Sequence, residues 1–249
     1  MQIPPGHPRY ESLKLREALM EGYKDGITAM AGLIAHGRGE AFDYLLGEVT
    51  TPPARTAIMA AAALLILAEN PVISVNGNTA AICPRELVAL SKATRAKLEV
   101  NLFYRSRARA AKIGRLLERH GAGIVYGINP GEEIPGLESE RRLVDREGIF
   151  SGDVVLVPLE DGDRTEALVK AGKRVIAIDI NPISRTARTA TITIVDNVVR
   201  ALPALLEEVE GLRGKSRGEL KKLVEAYDRD ENLETTLEHI CRRLRKNFK

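Results

Sequence analysis

The 249-residue chain carries 37 basic against 34 acidic side chains, for a net charge of +3, with 29% of its residues charged. That length suits one large domain, or an α/β domain of about 150 residues with helical additions. Balanced charge argues against nucleic-acid binding, which draws on a basic excess gathered on one face.

Other compositional signals narrow the class without naming a chemistry. Gln2 is the single glutamine and tryptophan is absent, a bias shared with heat-adapted proteins. Cys83 and Cys241 lie far apart with no second thiol or histidine at ligand spacing. They are expected to be reduced, buried thiols of a cytoplasmic protein, not a bridge or a zinc site. No signal peptide opens the chain, and the longest apolar run, residues 57–68, is too short to span a bilayer and predicts a buried helix.

Residues 8–24 have helical periodicity, with Leu13, Leu19, Met20 and Tyr23 on one stripe and Arg16 in its middle. A guanidinium turned inward needs a partner, either a protein carboxylate or a ligand phosphate, and the phosphate is the expectation carried forward. In His36-Gly37-Arg38-Gly39-Glu40 the glycines predict a close backbone approach, with a helix starting at Glu40. Arg38 is then either an anion contact at a helix N-terminus or a surface arginine in a turn. Pro52-Pro53 opens the alanine-rich helix, which Asn70-Pro71 ends.

From Val72 strand and helix patterns alternate, as in βαβ units with a parallel sheet. Residues 72–75 form a strand running into Asn76-Gly77-Asn78, a turn predicted to expose amides and backbone N–H groups at the sheet edge, before a helix over 84–94. Residues 98–102 form the next strand, leading through Phe103, Tyr104 and Arg105 to a helix capped by Ser106. Arg105, Arg109, Lys112 and Arg119 share one face of that helix, which reads as a solvated surface or an RNA-facing stripe. Gly121 and Gly123 precede the third strand, 124–126, and so do not form a dinucleotide fingerprint. A long loop and a short charged helix are expected after it. Residues 153–159 form a strand with an acidic exit; Asp163 and Glu166 have capping-box spacing, and Asp161 is a candidate beside magnesium.

The stretch 174–197 has the strongest appearance of a site. Two β-rich runs, 175–178 and 191–195, each end in an aspartate, with Arg185 and Arg188 between them. As parallel strands they bring Asp179 and Asp196 to the carboxyl edge, where open sheets bind ligands. Carboxylates there accept from ribose hydroxyls or hold a cation, while guanidinium forks match phosphate oxygens. Alternatively, Asp179 opens an Asx turn before Asn181-Pro182 and Asn197 caps a helix. That helix is expected to be interrupted by Pro203. Gly214-Lys215-Ser216 imitates a P-loop, but position 209 is Val and a helix precedes it; Ser216 with Glu219 makes a capping box instead. Leu233, Leu237, Ile240 and Leu244 stripe the last helix, and a homodimer is the expected partner for that stripe. No Ser-His-Asp set, metal cluster or reactive cysteine environment is readable.

Val-Asn-Gly-Asn-Thr-Ala-Ala at 75–81, Leu-Phe-Tyr-Arg at 102–105, and the runs 179–187 and 194–197 resemble the archaeal phosphopantothenate synthetases over nearly the whole chain. The resemblance implies a 4-phosphopantoate:beta-alanine ligase of coenzyme A synthesis that uses ATP, releases AMP and diphosphate through an acyl-adenylate, and forms 4'-phosphopantothenate. It also implies an α/β, Rossmann-like, mostly parallel sheet with helices on both faces, a helical N-terminal part and a homodimer. The chain is expected to divide into that helical part over 1–70, a nucleotide-binding core over 71–211 and a C-terminal helical extension over 212–249. Carried onto this sequence, the ATP contacts are Arg16, Arg38, Asp179, Ile180, Asn181, Arg185, Thr186, Asp196 and Asn197. The turns themselves place 4-phosphopantoate at Asn76, Gly77, Asn78, Tyr104 and Arg105, and Mg2+ is expected because diphosphate must leave. Competing readings are a nicotinamide-dependent oxidoreductase, disfavoured by the missing glycine fingerprint, and a non-enzymatic RNA scaffold; no membrane partner is expected.

Overall fold

The computed structural model describes residues 4–247. Three helices come first: α1 (Tyr10–Lys24), α2 (Met30–Leu46) and α3 (Pro52–Leu67). Strands and helices then alternate: β1 (Pro71–Val75), α4 (Gly77–Ile82), α5 (Pro84–Thr94), β2 (Lys97–Val100), α6 (Arg107–Arg119) and β3 (Val125–Tyr126). A two-stranded antiparallel pair, β4 (Glu132–Glu133) with β5 (Leu143–Val144), interrupts the alternation. It stands with short turns at Glu140–Arg142 and Arg146–Phe150 where a charged helix is expected. The chain continues through β6 (Val154–Pro158), α7 (Gly162–Lys170), β7 (Arg174–Ile178), α8 (Arg185–Thr189) and β8 (Ile192–Ile194). Last come α9 (Val198–Gly211), α10 (Arg217–Glu225) and α11 (Arg229–Asn247).

The main sheet runs β3-β2-β1-β6-β7-β8, with every pairing parallel. Counted within the sheet this is the doubly wound order 3-2-1-4-5-6, whose direction of winding reverses between β1 and β6. β1 and β6 are buried along their whole length, because a sheet covered by helices on both faces has no polar side. Alternate residues feed two cores. Ile73, Val75, Leu156, Ile176 and Ile178 meet α3, α5, α6 and α9, whereas Val72, Val155, Val157, Val175 and Ala177 meet α7 and the β4–β5 segment. The alanines of α3, buried from Ala60 to Ala63, let that helix lie close to β8 and α9.

Side chains cap several of the helices. Thr51, Ser106 and Asn197 accept from backbone N–H groups of the helices they open, and Ser216 with Glu219 forms a complete capping box. The α7 expectation fails, since Asp161 occupies the cap position and makes no side-chain cap bond. Pro203 does not interrupt α9: it lies on the exposed side of the helix, where its ring points to solvent and the helix continues past it. On α1, Leu19 is buried but Met20 and Tyr23 are exposed, so the inward stripe is narrower than its periodicity suggests. Cys83 is buried, and burial pushes its thiol up to about 12; Cys241 is exposed, correcting the expectation of two buried thiols. Among the described residues no helix is long and apolar enough to cross a membrane.

α11 corrects a further expectation. Its Leu233 and Ile240 pack with Leu46 of α2, Ile180, Ala187 and Val195, so most of the apolar stripe covers this chain's own core. The Asn232 amide donates to Pro53 O at 2.9 Å, and Arg243 donates to Tyr44 O at 2.8 Å. The C-terminal helix thereby pins α2 over the carboxyl edge of the sheet.

Candidate active site at the carboxyl edge of the sheet

The loops leaving β1, β2, β6, β7 and β8 face α2 across a cleft of about 670 Å³. It straddles the reversal point between β1 and β6, where the loops diverge to opposite faces and leave a crevice. Asp179 and Asp196 reach the same rim, as parallel β7 and β8 require, and both line the cleft. Arg38, Ile180, Asn181, Arg185, Thr186 and Asn197 line the same end.

Arg38 arrives by a different route from the one expected. The glycines at 37 and 39 do not break the chain into a turn; α2 starts at Met30 and runs through them, so Arg38 projects from a helix interior. At Gly39 α2 passes Ile180, whose Cγ2 lies 3.6 Å from where a Cβ would stand, an ordinary contact that does not require glycine. Arg16 does not line the cleft. Its inward charge meets a protein carboxylate: Nε and Nη2 donate to Glu40 Oε2 at 3.1 and 2.6 Å. Tyr44 donates to Glu40 Oε1 at 2.8 Å and Arg9 at 3.3 Å. Burial pushes the Glu40 carboxyl up, but the Arg16 and Tyr44 hydrogen bonds outweigh it and hold the group below its ordinary value.

The aspartate tips are built into networks. Asp179 Oδ1 accepts from Asn181 N at 3.0 Å, an Asx turn, and Oδ2 accepts from Ser184 Oγ. Burial still raises its pKa, against those hydrogen bonds and the charge of Arg38. Asp196 is fully buried. Its Oδ2 accepts from Thr50 at 2.6 Å, while Oδ1 accepts from Asn197 N at 2.7 Å and from Arg200 Nε and Nη2 at 2.9 and 2.6 Å. Arg200 also reaches Asp43 on α2 at 2.5 Å, and the Asn197 amide donates to Asp43 at 2.8 Å. Desolvation raises the Asp196 pKa more than Thr50 and Arg200 lower it. Arg200 and Asp43 went unrecognised in the sequence. Arg200 follows Asp196 at helical i,i+4 spacing, which is a readable signal; Asp43 has none.

Arg185 lies half over Gly162 and faces Glu166 at 3.5 Å, while Arg188 is exposed outside the cleft. Thr186 is buried, its hydroxyl donating to Glu160 O at 2.9 Å. Glu160 is a second acid missed in the sequence: it is buried and binds both Arg141 and Arg164. Burial pushes its carboxyl up, but the two guanidiniums overcome this and hold it below its ordinary value.

The β1–β2 end departs most from expectation. Asn76 does not expose its amide, because a short helix begins at once: its Oδ1 caps Thr79 N at 3.0 Å and its Nδ2 donates to Pro158 O at 2.7 Å, stitching β1 to β6. The Asn78 amide donates to Gly32 O at 2.8 Å, joining α4 to α2. Asn76, Gly77, Asn78 and Tyr104 still line the cleft. Arg105 does not; it turns to the carbonyls of Gly127 and Ile128 at 2.8 and 3.1 Å, where Gly127 has a φ of +85° and a Cβ would strike Val100 O. Arg109 and Lys112 donate to the carbonyls of Ile27 and Asp25 at 2.7 and 2.8 Å. The stripe expected as a solvated or RNA-facing surface is thus partly spent on the chain's own backbone.

A sheet wound in this order, with arginines and carboxylates gathered at its reversal point, defines a doubly wound α/β protein with a charged cleft at the carboxyl edge. Residues 53–243 match the family model described as phosphopantothenate/pantothenate synthetase, and the chain belongs to that family. It is 57% identical to the 4-phosphopantoate--beta-alanine ligase of Thermococcus onnurineus, covering 99% of this chain and 95% of the relative. The same name is carried by relatives in Thermococcus kodakarensis, at 56% identity over 98% and 94%, and Methanosarcina mazei, at 51% over 98% and 96%.

Proposed function

We propose that this ligase joins 4-phosphopantoate to β-alanine within the cleft, using ATP and releasing AMP and diphosphate, as a step of coenzyme A synthesis. The observation that carries the reading is the placement of Arg38, Asp179, Arg185 and Asn197 around one end of a crevice at the sheet's reversal point. In the proposed route the pantoate carboxylate oxygen attacks the α-phosphorus and the bond to the departing diphosphate breaks. The β-alanine amine then attacks the acyl carbon of the adenylate, AMP leaves, and the amine gives up a proton. Arg38 and Arg185 neutralise phosphate charge, and Asp179 with Asn181 orients the nucleoside. Arg16 acts at one remove, by fixing Glu40 at the cleft wall.

Among the described residues no group of three or more potential ligands could cage a metal. Mg2+ needs only one or two carboxylates when phosphates supply its remaining ligands. Asp161, half-exposed at the cleft and meeting Arg141 Nε at 3.2 Å, is the side chain suited to that role. Bound there with ATP, the ion would screen the phosphate charge. For assembly we propose a homodimer, supported by the exposed Met20 and Tyr23 of α1 and Met30 and Ile34 of α2. Sedimentation velocity showing only a monomer would remove that part. The function is tested by product analysis: AMP release is expected to require both 4-phosphopantoate and β-alanine. ADP as the product, or turnover without the amine, overturns the adenylate route.

A further inference from the structure

Alternate residues of β2 grip a segment that lies outside the main sheet. Side chains two apart on a strand share a face, and Lys97, Glu99 and Asn101 all turn theirs to the chain between Arg141 and Phe150. Lys97 Nζ donates to Glu147 O at 2.6 Å. Glu99 accepts the backbone N–H groups of Asp145 and Ile149, one on each carboxylate oxygen, at 3.1 and 2.6 Å. The Asn101 amide donates to the carbonyls of Arg141 and Leu143, both at 3.1 Å. Gly148 leaves room for this grip, since a Cβ there would fall on Glu99 Oε2. Val144 and Ile149 are the buried apolar anchors of the segment, while Arg146, Glu147 and Phe150 are exposed. One end of the segment reaches the cleft: Arg141 lines it, bound to Glu160 and, at 3.2 Å, to Asp161, and Glu160 O accepts from the Thr186 hydroxyl.

Glu99 is the rung able to lose its charge. Ser74 is its register partner on β1, and Arg164 of α7 donates to Ser74 Oγ at 3.1 Å. Arg164 is fully buried, and its Nε and Nη2 have no hydrogen-bond partner among the described residues. The other charged and titratable groups around Glu99 are Asp145 on the segment, Arg105 before α6, Lys173 before β7, Tyr126 opposite it on β3, and Lys97 on its own strand. With the segment closed over it, burial pushes the carboxyl up to about 7. An opened segment admits water, which returns the group toward its ordinary 4.5. Protonation therefore favours the closed form and ionisation the open one. A charged Glu99 also finds a stronger partner in the unpaired donors of Arg164 than in two backbone amides. We propose that Glu99 is a positioning residue of the ligase: through residues 141–150 it holds Arg141 and Glu160 at the cleft, and it loosens them when it ionises. The effect on turnover rests on the ligase reading above; the movement of the segment does not.

Hydrogen exchange read by mass spectrometry on the full chain tests this in wild type, Glu99→Gln and Lys97→Met between about pH 5.5 and 7.5. Intrinsic exchange rates are divided out, and thermal melts confirm folding. In wild type residues 141–150 are expected to exchange ahead of β6 and β7. Their opening should increase about 20-fold over that range, as a carboxyl returning from about 7 to 4.5 requires. Glu99→Gln should remove the dependence on pH. Lys97→Met drops the outer rung without touching Glu99, so it should open the segment more at every pH and keep the slope. Turnover is read as AMP release with ATP, 4-phosphopantoate and β-alanine. The ratio of kcat/KM in Glu99→Gln to that in wild type cancels the titrations of the substrates, and it is expected to rise with pH. Wild-type exchange in the segment that is flat with pH, or in step with β6 and β7, overturns the proposal. So does a kcat/KM ratio that stays flat, which marks Glu99 as merely structural. A wild type that releases no AMP defeats the ligase reading instead, and the exchange result is separable from it.

Discussion

Glu99, in the middle of β2, gives the sharpest physical test. Its side chain is fully buried, with Oε1 accepting from Asp145 N at 3.1 Å and Oε2 from Ile149 N at 2.6 Å. Gly148 leaves room for the carboxylate where any side chain would collide with it. Burial pushes the group up to about 7 from an ordinary 4.5, despite the two backbone donors and the nearby Arg164. A carboxyl with a raised folded-state pKa adds stability that is complete below the unfolded value and is lost as pH rises through the folded one, because the unfolded chain ionises first. Each pKa unit is worth about 1.4 kcal/mol, so the whole effect is about 3 kcal/mol. Of that, roughly 2.5 kcal/mol falls between pH 5 and 8.5. Glu99→Gln abolishes this slope, and also sets an amide N–H against one backbone donor, a constant cost of about 1–3 kcal/mol. Urea unfolding of both proteins at intervals from pH 5 to 8.5 separates slope from offset. Wild type should lose about 2.5 kcal/mol relative to the variant over that range. A difference that stays flat refutes the assignment of a near-neutral, buried Glu99.

Arg200→Met strands the carboxylates of Asp43 and Asp196, which are nearly or fully buried. Breaking a buried pair by removing one partner costs about 3–5 kcal/mol, measurable by the same unfolding, and a loss below about 1 kcal/mol would contradict the network's importance. Because that network ties α2 to the loop after β8, the KM for ATP should rise as well. Arg38→Ala is expected to raise the KM for ATP about tenfold, the scale of one charged hydrogen bond, while Arg16→Ala, which touches the cleft only through Glu40, raises it less. Equal effects would put Arg16 on the nucleotide. In the native protein a thiol reagent should label Cys241 alone, Cys83 reacting only on unfolding; two fast thiols would contradict its burial.

What the sequence determined by itself was the alternation of strand and helix from Val72 onward, and with it the sheet and the two acidic tips. Those follow from neighbours in the chain: apolar runs of strand length, caps such as Ser106, Asn197 and Ser216, and aspartates placed directly after strands. The family motifs lie in the same turns. Tertiary structure decided which charges are available. Glu40 meets Arg16 from 24 residues away, Asp43 meets Arg200 from 157, and Arg109 finds Ile27 O from 82. No periodicity encodes such pairings, since a guanidinium settles on whichever acceptor packing brings within reach. That is why Arg105 is spent on backbone carbonyls while Arg109, one turn further on, faces the cleft, and why the stripe of α11 closes its own core.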